Sequence, residues 1–291
     1  MNAQQRLSFQ SGLISLLILL AALAAWHVAT LPTGGSTAPA STLSAEQIEY
    51  QKLLGKDPEA ATKKTTGFPT LAQMGATVVK NLSDPFYDNG PNDKGIAIQL
   101  GHSLLRVGLG FGLAALLAIP LGFLIGMSPV LHGALNPVIQ VLRPVSPLAW
   151  MPLALFTIKD SSTSAIFVIF ICAMWPLLLN TAFGVANVRR EWLNVARTLE
   201  AGRWRTAFSV ILPAAAPTIM TGARISIGIA WLVIVAAEML VGGPGIGYFV
   251  WDQWNNLAIA NIIVAILLIG FVGMGLDLLL ERAGRAFAWR E

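Results

Sequence analysis

The 291-residue chain is 55% hydrophobic and only 12% charged, with a mean hydropathy of +0.66, whereas a soluble domain carries about 25% charged residues. That charge density leaves too little polar surface to solvate a globule of this size, and a bilayer, whose tails accept apolar side chains directly, is the environment it fits. The net charge of +4 comes from basic residues that punctuate apolar runs, unlike the basic face of a nucleic-acid binder, and the single cysteine, Cys172, excludes a disulfide framework or cysteine metal site within one chain.

The first apolar run, residues 12–30, predicts a retained N-terminal transmembrane helix over 1–30; a cleaved signal peptide is the rival reading, given Ala21, Ala22, Ala24 and Ala25 near its end. Residues 31–95 predict an extramembrane linker, aperiodic and lysine-bearing, with a short amphipathic helix at 70–80. A second span is expected at 107–127. Its Gly108/Gly112 and Gly122/Gly126 pairs each stand four apart on one helical face and predict close helix approach. Residues 134–158 predict a third span interrupted by Pro137, Pro144, Pro147 and Pro152, with Arg143 inside it. Such irregular backbone survives at membrane depth only when buried in protein or lining a cavity, so this segment is a candidate pathway wall. Further spans are expected at 165–188, kinked at Pro176, at 215–241, containing Arg224 and Glu238, and at 257–276. The prediction is an all-α integral membrane protein of six transmembrane helices.

Orientation follows from the arginines. Arg189, Arg190, Arg197, Arg203 and Arg205 mark the segment between the fourth and fifth spans as cytoplasmic. Arg282, Arg285 and Arg290 in the tail (282–291) agree, being an even number of crossings away, so both termini are expected inside and 31–95 outside. The three histidines, His27, His102 and His132, lack metal-motif spacing, so no metal site is expected.

The informative stretch runs from Glu191 to Trp231. It predicts two short helices around a turn near Gly202, then a proline-marked passage into the membrane. Val195, Leu199 and Trp204 supply an apolar face and the arginines a polar one. A passive amphipathic helix on lipid headgroups is the alternative reading. The stretch resembles the cytoplasmic coupling loop of binding-protein-dependent ABC importer permeases, whose motif is Glu-Ala-Ala, three residues, Gly, nine residues, an aliphatic residue, any residue, then Leu-Pro. On this frame Ala196, Val210, Leu212 and Pro213 match, Asn194 replaces the acid, Val195 the first alanine and Glu200 the glycine, with Gly202 expected to serve the turn instead.

The resemblance implies a type I ABC importer permease fold with a permease core over 96–281 and a coupling loop at 189–213. Asn194, Val195, Ala196, Leu199, Glu200, Gly202, Arg203 and Trp204 would contact the motor. The chain lacks a Walker A loop: Gly55-Lys56 continues to Asp57 without Ser or Thr. ATP and Mg would therefore be bound by two separate cytoplasmic ABC ATPase subunits, with no cofactor in this chain. A second permease copy, as a homodimer, would complete the pathway among the lipids of the bacterial inner membrane. A periplasmic or lipid-anchored anion-binding protein would deliver substrate.

Residues 84–100, 140–156 and 234–256 are similar to the nitrate, bicarbonate and cyanate branch, most of all to nitrate permeases, with bicarbonate or cyanate import as alternatives. The candidate path comprises Arg143, Pro144, Pro147, Trp150, Arg224 and Glu238. Arg143 and Arg224 are read as the only arginines well inside spans, either flanking one inner vestibule or pairing with a carboxylate or proline-freed carbonyls. Glu238 stands about 21 Å along the axis from Arg224, so its partner is expected on another helix, unless it faces a wet cavity. Trp251, Asp252 and Trp254, in an outer loop, are candidates for docking the binding protein. An ATP-independent secondary transporter lacks support, since one proline-broken span has no second copy; a membrane enzyme lacks a metal or nucleophile constellation.

Overall fold

The computed structural model describes residues 3–30, 68–90 and 93–287. Most of the linker expected over 31–95 lies outside the described residues, as does Arg290. The chain divides into two units, 1–80 and 81–291.

In the first unit, α1 (Ala3–Ala29) is apolar on every face from Gly12 on, and Leu13, Leu16, Leu17, Leu19, Leu20 and Leu23 are exposed among protein atoms. That is what a helix solvated by lipid requires. The Trp26 indole donates to the Pro69 carbonyl at 3.0 Å and its ring lies 5.2 Å from that of Phe68. Thr70 and Gln73 then form a reciprocal capping box: the Thr70 N–H donates to Gln73 Oε1 and the Gln73 N–H to Thr70 Oγ1. This starts α2 (Leu71–Ser83), the expected amphipathic helix.

The second unit is a bundle built on α3 (Ile96–Met127), α6 (Ser161–Ala186) and α9 (Leu212–Val241). A Cβ on Gly122 would lie 2.6 Å from the Leu178 carbonyl oxygen, and one on Gly126 2.6 Å from that of Ala182, so this glycine pair seats α3 directly on α6. Gly108 and Gly112, identically spaced, meet nothing; Gly110 makes the third close approach, against Ile166 and Ile169. Ser226 donates to the Ala173 carbonyl at 2.7 Å and ties α9 to α6 at apolar depth. On the other side of α9, the Trp231 indole donates to the Ile269 carbonyl of α11 (Ile259–Phe287) at 2.9 Å.

The proline-interrupted segment is two helices, α4 (Pro129–Leu142) and α5 (Pro147–Ile158), bent by 91° at 143–146. The Arg143 N–H still donates to the Ile139 carbonyl at 2.9 Å, but Pro144 has no N–H to continue the ladder, and Pro147 restarts it at the first position of α5. Asp160 then caps α6, accepting from the Thr163 N–H at 2.7 Å. Among the described residues five helices are long and apolar enough to cross a bilayer, or six if the bent pair counts as one span.

Three span limits differ from those expected. Helix α3 begins at Ile96, so Arg106 lies inside it; α11 runs on to Phe287 and carries Asp277. The helix leading into α9 begins at Arg203, not near 215: α8 (Arg203–Thr206), a π turn (Ala207–Ile211) and α9 follow without a break. A run of uncharged residues marks where a helix lies deepest in lipid, not where its hydrogen-bond ladder ends.

Candidate functional site

The segment expected to couple forms α7 (Arg190–Thr198), a turn at 199–202, and α8. Ala196 is buried, while Leu199 is 75% and Trp204 79% exposed, and Val195 is exposed beside them. Trp204 stacks on Phe208 with ring centres 6.0 Å apart, and Arg189 lies 5.4 Å above the Trp192 ring. A groove of about 530 Å³ lined by Trp192, Val195, Leu199 and Arg205 separates the two short helices.

The turn is a Schellman motif: the Glu200 N–H donates to the Arg197 carbonyl and the Ala201 N–H to that of Ala196, both at 3.0 Å. Glu200 itself takes the left-handed conformation, φ 49°, whereas Gly202 has φ −59°. The expectation that Gly202 would replace the motif's glycine is therefore corrected. The left-handed position is the one at which the motif carries glycine, and here a glutamate bears the strain. The π turn ends one residue short of Leu212-Pro213, widening the helix just ahead of a residue without a donor.

At the opposite end of α9, the buried Glu238, 1% exposed, meets a partner that charge-free runs had hidden. Arg106 of α3, 8% exposed, donates from Nη1 to Glu238 Oε1 at 2.8 Å. The same Nη1 donates to the Pro244 carbonyl at 2.9 Å, and Nε donates to Ser162 Oγ at the start of α6 at 3.0 Å. Ser103 Oγ donates to the Glu238 carboxylate at 2.8 Å and accepts from the Ile246 N–H at 2.9 Å. The Gly247 N–H reaches Glu238 Oε2 at 3.0 Å, and Gln99 Oε1 accepts from the Gly245 N–H. A side chain at Gly245 would overlap the Glu238 carboxylate, and one at Gly247 the Val235 carbonyl, so only glycine lets this loop close over the carboxylate. Arg143 and Arg224 are thus not the only arginines within the helices. The signal available in sequence was a polar stripe, Gln99, Ser103 and Arg106, at helical spacing on one face of an apolar helix.

The cluster places α10 (Ile246–Asn255), a helix where the sequence predicts an outer loop. Trp251 and Trp254 are exposed on it. Asp252 accepts from Gln253 Nε2 at 2.9 Å, Gln253 Oε1 accepts from Asn261, and Asn81 donates to Asn261 at 3.1 Å. Nearby, Asp88 is held below its ordinary range by the Lys94 ammonium and then by the Gly90 N–H. The Tyr87 phenol is raised by burial first and by its hydrogen bond with Asp93 second.

The candidate path residues do not assemble at one place. Arg224 is held by Asp277 of α11 through two bonds, Nε to Oδ1 at 2.8 Å and Nη2 to Oδ2 at 2.7 Å, with Glu281 at 3.6 Å. Arg143 and Pro147 line a cavity of about 770 Å³ bounded by α4, α6 and α9; Pro144, Trp150, Arg224 and Glu238 are not among its lining residues. The described residues hold no His, Cys, Asp and Glu cluster able to bind a metal ion.

Residues 118–290 match the family described as binding-protein-dependent transport system inner membrane component. A nitrate import permease protein, NrtB, of Synechocystis sp. is 47% identical over 73% of this chain and 77% of its own length. A bicarbonate transport system permease protein, CmpB, of the same organism is 46% identical over 67% and 70%. Among solved structures, the inward-facing MetNI methionine ABC transporter aligns with a TM-score of 0.59 at 15% identity, covering 67% of this chain and 96% of that one, a likeness of fold. These relatives are named as transport subunits, not enzymes, and the family works with ATPase and solute-binding partners. By family model, relatives and fold, this chain belongs to the inner-membrane components of binding-protein-dependent transport systems.

Proposed function

We propose that this chain is the permease subunit of an ATP-driven importer of nitrate. The observation that carries the reading is the 47% identity to a nitrate import permease across 73% of the chain. Bicarbonate is the second reading, carried by the 46% identity to a bicarbonate permease.

The geometry suits such a role. Leu199 and Trp204 are large apolar side chains left in the open on a short helix pair, where a soluble motor has something to grip. Two ATPase subunits, binding ATP and Mg, would each hold one such pair, with both termini and the 189–213 segment cytoplasmic. Motion there would pass into the bundle without a flexible joint, because α8, the π turn and α9 are one continuous helix. At the far end of that helix Glu238 holds the loop that carries α10, so α10 would travel with α9. A periplasmic or lipid-anchored binding protein docking on Trp251, Asp252 and Trp254 would sense that movement, a rigid-body transition of a familiar kind. One chain supplies half a pathway, and a twofold copy would supply the rest.

The test is uptake and ATP hydrolysis by the reconstituted complex with its binding protein, comparing nitrate, nitrite, cyanate and bicarbonate. Nitrate is expected to drive both most strongly. Stimulation by bicarbonate alone would move the assignment to the second reading, and uptake without any ATPase subunit would overturn the import mechanism.

A further inference from the structure

We propose that the cavity between α4, α6 and α9 is an anion-attracting vestibule whose field comes from Arg143, with His132, Asn136 and Asn180 as its other polar lining. The inference rests on reading the chain as an anion importer and names where, within one copy, the ion passes.

Of the arginines Arg106, Arg143 and Arg224, two are neutralised. Arg106 faces Glu238, and Arg224 faces Asp277 and Glu281. The Arg143 guanidinium has no hydrogen bond or ion pair among the described residues, and no Asp or Glu lines the cavity it borders. The bend holds the charge in place: Arg143 caps the carbonyl end of α4, where a cation is favoured. Four residues on, Pro147 opens the 12-residue α5 without a side-chain cap, and it also lines the cavity. The first-turn N–H groups of α5 add positive potential to that of the guanidinium. At about 30 Å³ per water, a volume of about 770 Å³ holds roughly 25 waters. An ion would enter still hydrated and be drawn by potential without a close-fitting cage, which suits passage rather than retention.

Cys172, the only cysteine in the chain, lines the same cavity and reports its potential. The experiment compares modification of Cys172 by an anionic and a cationic methanethiosulfonate in the complex with its ATPases in nanodiscs, each rate divided by that for a free thiol. A unit charge about 8 Å from a reacting group, through water-like surroundings, shifts each reagent's rate about two-fold, in opposite senses. Arg143→Gln is therefore expected to lower the anionic-to-cationic ratio about four-fold and Arg143→Lys to restore it. Should Cys172 react with neither reagent, Ala186→Cys in a Cys172→Ala background, lining the same space, reads the same ratio. An unchanged ratio in Arg143→Gln overturns the proposal. The labelling needs no transport, so a complex that moves none of nitrate, nitrite, cyanate and bicarbonate yet keeps the charge-dependent ratio would refute the importer reading while leaving this field in place.

Discussion

Arg106 Nη1 and Glu238 Oε1 lie 2.8 Å apart, joining two helices across 132 residues of sequence. Each ion is also bonded to the 244–247 loop, so the pair closes that loop onto the bundle as well as neutralising itself. Removing one member of a buried pair strands the other, which costs about 3–5 kcal/mol, whereas replacing both with apolar residues of similar size is often close to neutral. Arg106→Met and Glu238→Met are each expected to lose stability in that range, and the double variant Arg106→Met, Glu238→Met to regain most of it. A thermal-unfolding double-mutant cycle on the solubilised complex measures this. Additive losses would show that the two residues act separately.

Glu200 sits in the left-handed region at the end of α7, where a side chain costs about 1 kcal/mol relative to glycine. Glu200→Gly is expected to stabilise the turn by about that amount, seen as slower amide exchange at Glu200 and Ala201, the two Schellman donors. Gly202→Ala is expected to change exchange little, because its φ of −59° suits any residue. The opposite order would return the turn to Gly202.

The two glycine pairs of α3 should behave differently. Gly126→Ala drives a methyl against Val185 and the Ala182 carbonyl and is expected to cost about 1–3 kcal/mol. Gly108→Ala meets nothing within this chain and is expected to be within about 0.5 kcal/mol of neutral. Equal losses at the two sites in a thermal-stability assay would mean that a second copy packs against Gly108.

Asp160 carries a pH dependence of definite sign. Bonds from the Thr163 hydroxyl and N–H lower its carboxyl below the ordinary 3.8. A depressed carboxylate stabilises the fold above its unfolded value, and that contribution fades as pH falls through the folded value. The stability difference between wild type and Asp160→Asn should therefore be constant near neutrality and shrink only below about pH 4. A difference that shrinks between pH 8 and 6 would point to another group.

Residues 190–206 were legible as an amphipathic pair of short helices because that character lies in local chemistry. Arginines beside Val195, Leu199 and Trp204 produce an amphipathic hairpin wherever the chain goes, and the left-handed position follows the motif's glycine even though glutamate occupies it. The break at 143–147 was equally local, since prolines remove donors regardless of surroundings. Arg106 and Asp277 lie just outside the charge-free runs, Arg106 one residue before the run at 107–127 and Asp277 one residue after the run at 257–276.

By itself the sequence determined the solvent, the number of apolar runs, the broken third span and the amphipathic stretch at 190–206, because hydropathy and proline act through each residue's immediate surroundings. Only the tertiary structure decided which charges cancel. Arg224 finds Asp277, Arg106 finds Glu238 and Arg143 finds neither. Identical glycine spacings likewise split into one packed pair and one open pair. Partnership depends on how distant helices are rotated against each other, and a one-dimensional pattern holds the face of a helix but not what that face meets.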